Sequence, residues 1–243
     1  MRNTKYITSY KYSPYSKISK ARILKTKFIY RYTKKLISNN KNIKEINNLC
    51  DLGCANGELI YYLNKQLNTN FLGVDNEKRF IITAKKLFKK TKNVSFIKKN
   101  LFDLNKKFDV ITCLGTATTF SYINELLKKI INLLKPKGLA VVDGIFNKYD
   151  CDLIIKYKDS SKKELNFWNH NINVHSQKTI KQTLEKIDNI KFFFVEKKID
   201  VPIKKNKKKP HSHWWTETLN KNYYLTSGLL LKKNPTFLVI KKK

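Results

Sequence analysis

An acid, two cysteines and two glycines lie together in the stretch CDLGCANGELIYYL, which runs from Cys50 to Leu63. An apolar run leads into this stretch and a segment of helical period follows, so we interpret it as a turn between a strand and a helix. A turn in that position is where an open α/β sheet binds its ligand. The candidate ligands are a metal ion, a phosphate, a dinucleotide or another cofactor, and the neighbouring residues decide among them.

The cysteine spacing argues against a metal. One Cys-x-x-x-Cys pair is present and no second pair stands at zinc-ligand spacing among the four cysteines, Cys50, Cys54, Cys113 and Cys151. A chain of 243 residues can also bury enough apolar surface to fold without a structural metal or a disulfide. We therefore expect no metal site, reduced thiols and a cytoplasmic protein.

The sequence also lacks the signs of a membrane protein. Its uncharged apolar stretches are far shorter than the roughly 18 to 20 residues of a membrane helix, and the N-terminus lacks the apolar core of a secretory signal. Residues 1–44 contain no Asp or Glu, a composition that an organellar transit peptide shares. Lys is abundant throughout the chain and Arg is rare, however, so we do not expect a transit peptide. We expect no membrane segment.

The turn lacks the residues that bind phosphate or a dinucleotide. A dinucleotide fingerprint reads Gly-x-Gly-x-x-Gly, but counting from Gly53 the next two required positions are Ala55 and Glu58. A P-loop would need Lys followed by Ser or Thr after Gly57, which this chain does not have. Acids at Asp51 and Glu58 would also repel a pyrophosphate. The pattern that remains is Asp-x-Gly-x-x-x-Gly with a small residue between the glycines.

Short apolar runs alternate with segments of helical period from about residue 46 to residue 144, as in a parallel sheet covered by helices. We predict strands and helices in alternation, with strands at 46–52, 70–75, 93–98, 108–114 and 138–144 and helices near 56–67, 77–90 and 121–135. Pro136 and Gly138 are expected to end the last of these helices.

Segments on either side extend this core. One face of a predicted N-terminal helix, lying on the sheet or over its open end, carries Ala21, Leu24, Phe28, Tyr32 and Leu36. Residues 145–189 look polar and irregular, with Trp168 and a helix at 178–188, and antiparallel strands follow at 190–201 and 235–242. We expect residues 1–243 to form a single domain, made of a helical segment (1–45), a core (46–144) and a cap with the final strands (145–243).

The order of these motifs resembles that of the class I S-adenosylmethionine (SAM)-dependent methyltransferases over about residues 46–144. Their first motif usually reads acid-x-Gly-x-Gly-x-Gly, and Asp51, Gly53, Ala55 and Gly57 follow it, with Ala55 in place of the commonest middle glycine. The resemblance implies an α/β fold with a doubly wound, mostly parallel seven-stranded Rossmann-like sheet. It also implies that SAM is the cofactor and that these four residues bind it.

The resemblance extends to residues that follow the next three strands. Asp75, in FLGVDNEKRF, corresponds to the acid that binds the ribose in the family. Asn100 stands where an acid usually meets the adenine amino group, with the backbone of Leu101 beside the ring. A backbone carbonyl at Cys113 or Leu114 corresponds to the one that receives the methionyl ammonium.

The chemistry of SAM agrees with these residue types. SAM has an ammonium, a carboxylate and a sulfonium but no phosphate, so its site needs carbonyls and carboxylates beside a close backbone. Gly53 and Gly57 permit that approach, and Asp51 can hold the ammonium directly or through water. Asp75 can accept hydrogen bonds from two ribose hydroxyls, and the amide oxygen of Asn100 can accept one from an amino group. Taken singly, Asp51 could be a helix cap and Asp75 a turn residue; their order favours the cofactor.

The expected cap holds further candidates for chemistry. It contains all four histidines, His170, His175, His211 and His213. A general base would assist transfer to a hydroxyl or an ammonium, but for each histidine a surface or packing role is the alternative we favour. A metal at His211 and His213 lacks companion ligands, and we favour packing over base stacking for Trp214 and Trp215.

The formal net charge of +33, from 51 basic and 18 acidic residues, favours a polyanionic partner such as nucleic acid. Lys, Asn and Ile are enriched together along the whole chain, which codon bias in an AT-rich genome would also produce. Local clusters of Lys occur at 204–209 and at the C-terminus, where solvated loops or tails are usual. The charge therefore leaves both explanations open.

Three functions follow from these observations. The sequence after the fourth strand, CLGTATTF, lacks the Asp/Asn-Pro-Pro-Tyr/Phe motif of one large group of nucleic-acid amino methyltransferases, and no Pro-Cys pair of a cytosine-carbon enzyme occurs. We therefore expect a SAM-dependent methyltransferase acting on oxygen or nitrogen of a small molecule. An RNA methyltransferase and a non-catalytic, basic nucleic-acid-binding protein on the same scaffold are the alternatives. The sequence identifies neither a catalytic base nor an oligomeric state.

Overall fold

The computed structural model describes residues 27–158, 169–199, 201–205, 214–229 and 231–243. The helices within these ranges are α1 (Phe28–Asn40), α2 (Glu58–Asn64), α3 (Lys78–Leu87), α4 (Ile123–Leu133) and α5 (Gln177–Leu184). The strands are β1 (Asn48–Leu52), β2 (Asn70–Asp75), β3 (Val94–Lys98), β4 (Phe108–Leu114), β5 (Leu134–Gly144), β6 (Phe146–Asn147), β7 (Leu153–Tyr157), β8 (Asn169–Ser176), β9 (Ile190–Glu196), β10 (Trp215–Leu219), β11 (Asn222–Thr226), β12 (Lys232–Lys233) and β13 (Thr236–Lys242).

Seven of these strands form one sheet in the order β3-β2-β1-β4-β5-β13-β9. β1 to β5 pair in parallel, and β13 runs antiparallel to both of its neighbours, β5 and β9. The strand order reverses between β1 and β4, and the carboxyl ends of the strands at such a reversal form the crevice where an open α/β sheet binds its ligand. The predicted doubly wound, mostly parallel seven-stranded sheet is confirmed.

Helices cover both faces of the sheet. The alternation of side chains along β13 shows the division, because Leu238 and Ile240 pack against α4 and α5 while Phe237 and Val239 pack against α1, α2 and α3. α4 has Leu126, Leu127 and Ile130 fully buried on the first face. A parallel sheet needs such cover on both sides, which explains its continuous apolar strands.

Helix α1 lies beside the crevice. The Tyr30 hydroxyl donates a 2.8 Å hydrogen bond to the buried carboxylate of Glu58, the first residue of α2, and the Lys27 ammonium pairs with the same carboxylate. Tyr32 packs on Phe237 of the sheet. The predicted N-terminal helix thus lies on the sheet from residue 28 onward, and the part predicted before residue 27 is outside the described residues.

Most elements are a few residues shorter than predicted, and the junction between α4 and β5 lies at a different place. Helix α4 ends at Leu133 rather than at residue 135, and β5 begins at Leu134, which pairs with Phe108. Pro136 explains the difference, because its ring disfavours the helical conformation of the preceding residue, Lys135. The prediction placed the stop signal correctly but counted the helix about two residues too long.

The segment 145–189 is more regular than the sequence predicted. It contains β6, β7 and β8, which form a three-stranded sheet in the order β6-β8-β7, and α5 at Gln177–Leu184 instead of 178–188. The prediction missed β8 because its buried positions include Asn173, His175 and Ser176, whose polarity conceals the strand period. A second small sheet, β10-β11-β12, precedes β13. The organisation as a single domain stays a prediction.

Asp109 stabilises the end of the sheet opposite the crevice, where the parallel strands begin. The Asp109 carboxylate accepts hydrogen bonds from the backbone N–H groups of Asn47 at 3.1 Å and Asn48 at 2.9 Å, and it pairs with the Lys135 ammonium at 3.1 Å. Burial raises the pKa of Asp109, but these donors outweigh it and hold the pKa below its ordinary value. Asp109 therefore joins β4 to the start of β1.

We expect Asp109→Ala to lower the free energy of unfolding at pH 7 by about 1–3 kcal/mol, because two backbone donors and an ammonium lose their acceptor. A carboxylate with a depressed folded pKa stabilises above its unfolded pKa of about 4, and that contribution disappears as the pH falls through the folded value. Urea unfolding at pH 7 and pH 3 should therefore show a smaller difference from wild type at pH 3. Asp188→Ala, at an exposed position, is the control, and equal losses at both pH values would contradict this account.

Candidate active site

The turn after β1 takes its shape from three residues in the left-handed region. Gly53, Ala55 and Gly57 have φ values of +75°, +46° and +79°. The backbone N–H groups of Gly53 and Cys54 both donate to the Val74 carbonyl, at 2.8 and 3.1 Å, which fixes the turn to the end of β2. Ala55 is the one non-glycine of the three, and its methyl group is the smallest side chain that this backbone could carry.

Gly53 is required by the close approach of another segment. A Cβ atom built on Gly53 would lie 1.9 Å from the Thr116 Oγ1 atom. The Thr116 hydroxyl donates to the Leu52 carbonyl at 3.2 Å, so it is held in that place. Any side chain at position 53 would separate the turn after β1 from the segment after β4.

The acid at the end of β1 is buried. Asp51 is 4% exposed, and its Oδ1 atom accepts a 2.8 Å hydrogen bond from the Thr112 hydroxyl. Burial raises the pKa of Asp51 to about 7, an effect that Thr112 opposes and the neighbouring Asp75 reinforces. In the same turn, the buried Asn56 side chain leaves its Nδ2 donor without a hydrogen-bond partner among the described residues. The turn thus presents an acid and a donor that a zwitterion would satisfy.

The acid at the end of β2 organises the opposite side of the turn. The Asp75 carboxylate accepts hydrogen bonds from the backbone N–H groups of Ala55 at 3.0 Å and Glu77 at 2.9 Å. Burial raises the pKa of Asp75, although these two donors and the Asn76 N–H oppose the shift. With three backbone donors on two oxygens, the carboxylate retains a lone pair for a further donor, such as a hydroxyl.

A cavity of about 430 Å³ lies beyond Asp75, between the ends of β2 and β3, lined by Asn76, Lys98, Lys99, Asn100 and Asp103. The Asn100 Oδ1 atom accepts a 3.1 Å hydrogen bond from the Phe102 N–H and so caps the short 3-10 helix Leu101–Asp103. This oxygen has one lone pair left, and the Asn100 Nδ2 group adds a donor. Asn100 thus lines the cavity, and Leu101 begins the short helix beside it.

β4 ends beside the same crevice. Cys113 is fully buried in the core and Leu114 pairs with Asp143 of β5. Burial raises the pKa of the Cys113 thiol, so this sulfur stays protonated at neutral pH and is not a nucleophile. The chain then turns at Gly115, with φ of +72°, into a short 3-10 helix, Thr116–Thr119. Cys113 therefore offers only its backbone to the crevice.

A histidine of β8 contacts that 3-10 helix. The His175 Nε2 atom lies 3.2 Å from the Ala117 carbonyl, which can only accept, so Nε2 carries the hydrogen. Burial lowers the pKa of His175 below its ordinary value, against the Ala117 and Phe120 carbonyls and Asp152, which raise it. His175 is therefore neutral at physiological pH and holds the 3-10 helix from the cap side.

Asp143, at the end of β5, and Lys233 form a further polar pair. Burial raises the pKa of Asp143, while Lys233 and the Gly115 N–H lower it. Burial likewise lowers the pKa of Lys233, whose ammonium donates to the Gly144 carbonyl at 3.2 Å and lies 5.0 Å from the centroid of the Trp214 ring. This group brings β5, β12 and the segment before β10 together at the crevice.

The structure brings together the predicted residues of the core, but it describes few of the predicted residues of the cap. Asp51, Gly53, Ala55 and Gly57 surround the crevice with Asp75. Trp215 is buried, as expected for a packing residue. Of the other predicted residues of the cap, Trp168, His211 and His213 lie outside the described residues, and the side chain of His170 is not described. Within the described ranges, no group of three or more His, Cys, Asp or Glu side chains could hold a metal, and no helix is long and apolar enough to cross a membrane.

Sequence reasoning missed several polar residues of the crevice. Asn56 and Thr112 lie inside segments that the analysis had identified, and polarity within an apolar strand was the signal at Thr112. Asp143 and Lys233 gave a similar signal, because Asp143 is a charged residue at the end of an apolar run and Lys233 is one that lies shortly before such a run. Asn173 gave none, since β8 itself was not recognised.

A comparison with protein families gives one match. The model of a family described as a methyltransferase domain matches residues 43–208, more than half of the chain, from before β1 to beyond β9. No curated protein sequence matches the chain.

Solved structures share the fold at low sequence identity. Magnesium protoporphyrin IX methyltransferase from Synechocystis PCC 6803, solved with bound SAM, is 11% identical with a TM-score of 0.54, and the match covers 88% of this chain and 78% of that one. A SAM-dependent methyltransferase from Methanosarcina mazei is 14% identical with a TM-score of 0.56, covering 85% and 96%. Coclaurine N-methyltransferase, bound to N-methylheliamine and SAH, is 16% identical with a TM-score of 0.53, covering 69% and 51%. At these identities the likeness concerns the fold.

The raised pKa of Asp51 predicts a gain in stability when its charge is removed. A folded pKa of about 7, above the unfolded value of about 4, means that stability is fully present below pH 4 and is lost as the pH rises through 7. We expect Asp51→Asn to raise the free energy of unfolding at pH 8 by up to about 4 kcal/mol and to make little difference at pH 4. Urea unfolding at both pH values tests this, with Asp188→Asn as the exposed control. A less stable variant at pH 8 would contradict it.

Proposed function

The chain belongs to the methyltransferase-domain family, and on that premise we propose that it transfers a methyl group from SAM to an oxygen or nitrogen atom of a small molecule. The observation that carries the proposal is the crevice between β1 and β4, where a glycine turn, a buried acid and a second acid on β2 meet. The fold that the chain shares with SAM-dependent methyltransferases supports the same reaction class.

The residues of the turn fit the amino-acid end of SAM. Asp51 is an acid with one hydrogen-bond donor, Thr112, and Asn56 Nδ2 is a buried donor without a partner among the described residues. An ammonium would pair with Asp51 and a carboxylate would accept from Asn56, so both would be satisfied together. The missing side chains of Gly53 and Gly57 make room for Thr116 and Phe96, which lets the turn that carries Asn56 pack closely on its neighbours. A carbonyl of Cys113 or Leu114 would receive a second ammonium hydrogen.

The nucleoside end of SAM would extend from Asp75 into the cavity. The Asp75 oxygens would accept from the ribose hydroxyls in addition to the backbone donors of Ala55 and Glu77. The adenine would enter the cavity beside Asn100 and the backbone of Leu101. The Asn100 amide offers both a donor and an acceptor there, so the absence of the usual acid at this position still permits contact with the amino group.

When bound, SAM supplies a methyl group on a sulfonium that is activated for in-line displacement. The part of this chain is to hold the acceptor in line and to exclude water. The 3-10 helix Thr116–Thr119 and β8 lie on the side of the crevice that the acceptor would occupy, and neutral His175 holds them together. No buried thiolate takes part, because Cys113 stays protonated.

The cover that β8 provides favours a small acceptor over RNA. Asn173 and His175 are both buried on β8, and His175 contacts the 3-10 helix, so β8 covers this side of the site. The net charge of +33 supports RNA methylation as the second candidate, since a basic surface would concentrate a polyanion. A cytoplasmic location is part of the same proposal.

Binding of the demethylated product, S-adenosylhomocysteine, tests the cofactor assignment by calorimetry. We expect Asp75→Ala to weaken binding by about tenfold to a hundredfold, because it removes hydrogen bonds to a charged acceptor worth about 1.5–3 kcal/mol. Asp75→Asn, which keeps one acceptor oxygen, should lose less, and the exposed Asp188→Ala should lose nothing. No binding to wild type, or equal binding to wild type and Asp75→Ala, would reject the assignment.

Transfer of tritiated methyl from SAM to a cell extract, split into RNA and small-molecule fractions, tests the reaction. We expect label in the small-molecule fraction, and less of it with Asp75→Ala. Label in RNA alone, together with RNA binding that falls steeply with salt, would establish the second candidate instead. Cofactor binding without label in either fraction would favour a non-catalytic, nucleic-acid-binding protein.

A further inference from the structure

Strand β8 lies against the 3-10 helix that follows β4. The contact is fixed at His175, whose Nε2–H faces the Ala117 carbonyl at 3.2 Å and whose backbone N–H donates to the Ile145 carbonyl at 2.9 Å. The adjoining Thr116 in turn packs against the Gly53 backbone of the cofactor turn. One face of β8 is therefore directed at the helix that borders the proposed methyl-transfer site.

Asn173 lies on the same face of β8, because residues two apart on a strand project to the same side. Its side chain is 4% exposed, and its Oδ1 atom has no hydrogen-bond partner among the described residues. A buried acceptor in that condition costs about 1–3 kcal/mol of stability. Packing alone would favour an apolar residue of similar size here, so the amide points to a ligand.

On the basis of the proposed function, we propose that Asn173 binds the methyl acceptor, its Oδ1 atom accepting a hydrogen bond from a hydroxyl or an amine N–H of that molecule. The acceptor class is thus a small alcohol, phenol or amine that carries a hydrogen to donate. Molecules that carry no such hydrogen do not fit.

Asn173 orients the acceptor without acting as its base, because an amide oxygen does not take up a proton near neutral pH. In the transfer, the bond from the methyl carbon to the acceptor oxygen or nitrogen forms as the carbon–sulfur bond breaks. The sulfur keeps the electron pair of the broken bond and becomes a thioether, and the proton of the acceptor is released to the solvent once the methylated product leaves. His175 acts through the backbone of Ala117 and is a positioning residue.

Asn173→Leu separates binding from a structural role, because the two predict opposite changes in stability. We expect the midpoint of thermal unfolding to stay the same or rise, since the unpartnered oxygen is removed. Calorimetric affinity for S-adenosylhomocysteine should stay within about twofold of wild type, and methyl transfer from tritiated SAM to the small-molecule fraction should fall about tenfold, as the loss of one hydrogen bond worth about 1.4 kcal/mol implies.

Thr69→Val is the matched control. The Thr69 hydroxyl is also buried without a hydrogen-bond partner among the described residues, but it lies before β2, at the edge of the sheet away from the crevice. Its removal should leave methyl transfer unchanged and should not destabilise the chain.

A lower unfolding temperature of Asn173→Leu, or transfer equal to wild type, would overturn the inference about Asn173. A wild-type chain that labels neither fraction would overturn the proposed function itself, and the unfolding midpoint of Asn173→Leu would then still decide whether the amide is structural. The two failures are therefore distinguishable.

Discussion

The contact between Thr116 and Gly53 determines the geometry of the whole crevice. The segments after β1 and β4 leave neighbouring strands, and the Thr116 hydroxyl, which reaches the Leu52 carbonyl at 3.2 Å, joins them. This arrangement has no space for a Cβ atom at position 53, so the glycine is a steric requirement of the pair of loops. The same contact brings the 3-10 helix Thr116–Thr119 within reach of β8, and thus joins the cofactor side to the cap.

The pKa values of acids at the two ends of the strands are shifted in opposite directions. At the edge away from the crevice, Asp109 has two backbone donors and a lysine, and its pKa is depressed, so it stabilises the fold at neutral pH. At the crevice, burial raises the pKa of Asp51 and Asp143, so their charges reduce stability. Groups that are costly in the free protein are the ones that a cationic ligand would satisfy, which is the usual relation between perturbed pKa values and function.

The sequence predicted most of the fold and SAM as the cofactor, because both depend on local signals; the residues that bind SAM stay a prediction. Gly57, Asp75 and the apolar runs of β1 to β5 each follow from a few adjacent residues. The boundary at Leu134 was wrong because the pairing with Phe108 extends β5 into residues that also continue a helical period. β8 was missed for a physical reason too, since a strand that buries Asn173 and His175 has no alternation of apolar and polar residues.

The acceptor side was beyond sequence reasoning because its residues meet only through the tertiary fold. His175 reaches Ala117, and Lys233 lies beside Asp143, across long separations in the chain and from elements added after the core sheet. No spacing rule connects such pairs, whereas the cofactor turn is contiguous. This difference explains why a single motif can indicate SAM while the methylated molecule has to be inferred from buried polar atoms. On the proposed function, changes in the segment from β6 to β8 would alter the acceptor without disturbing the turn proposed to hold the cofactor.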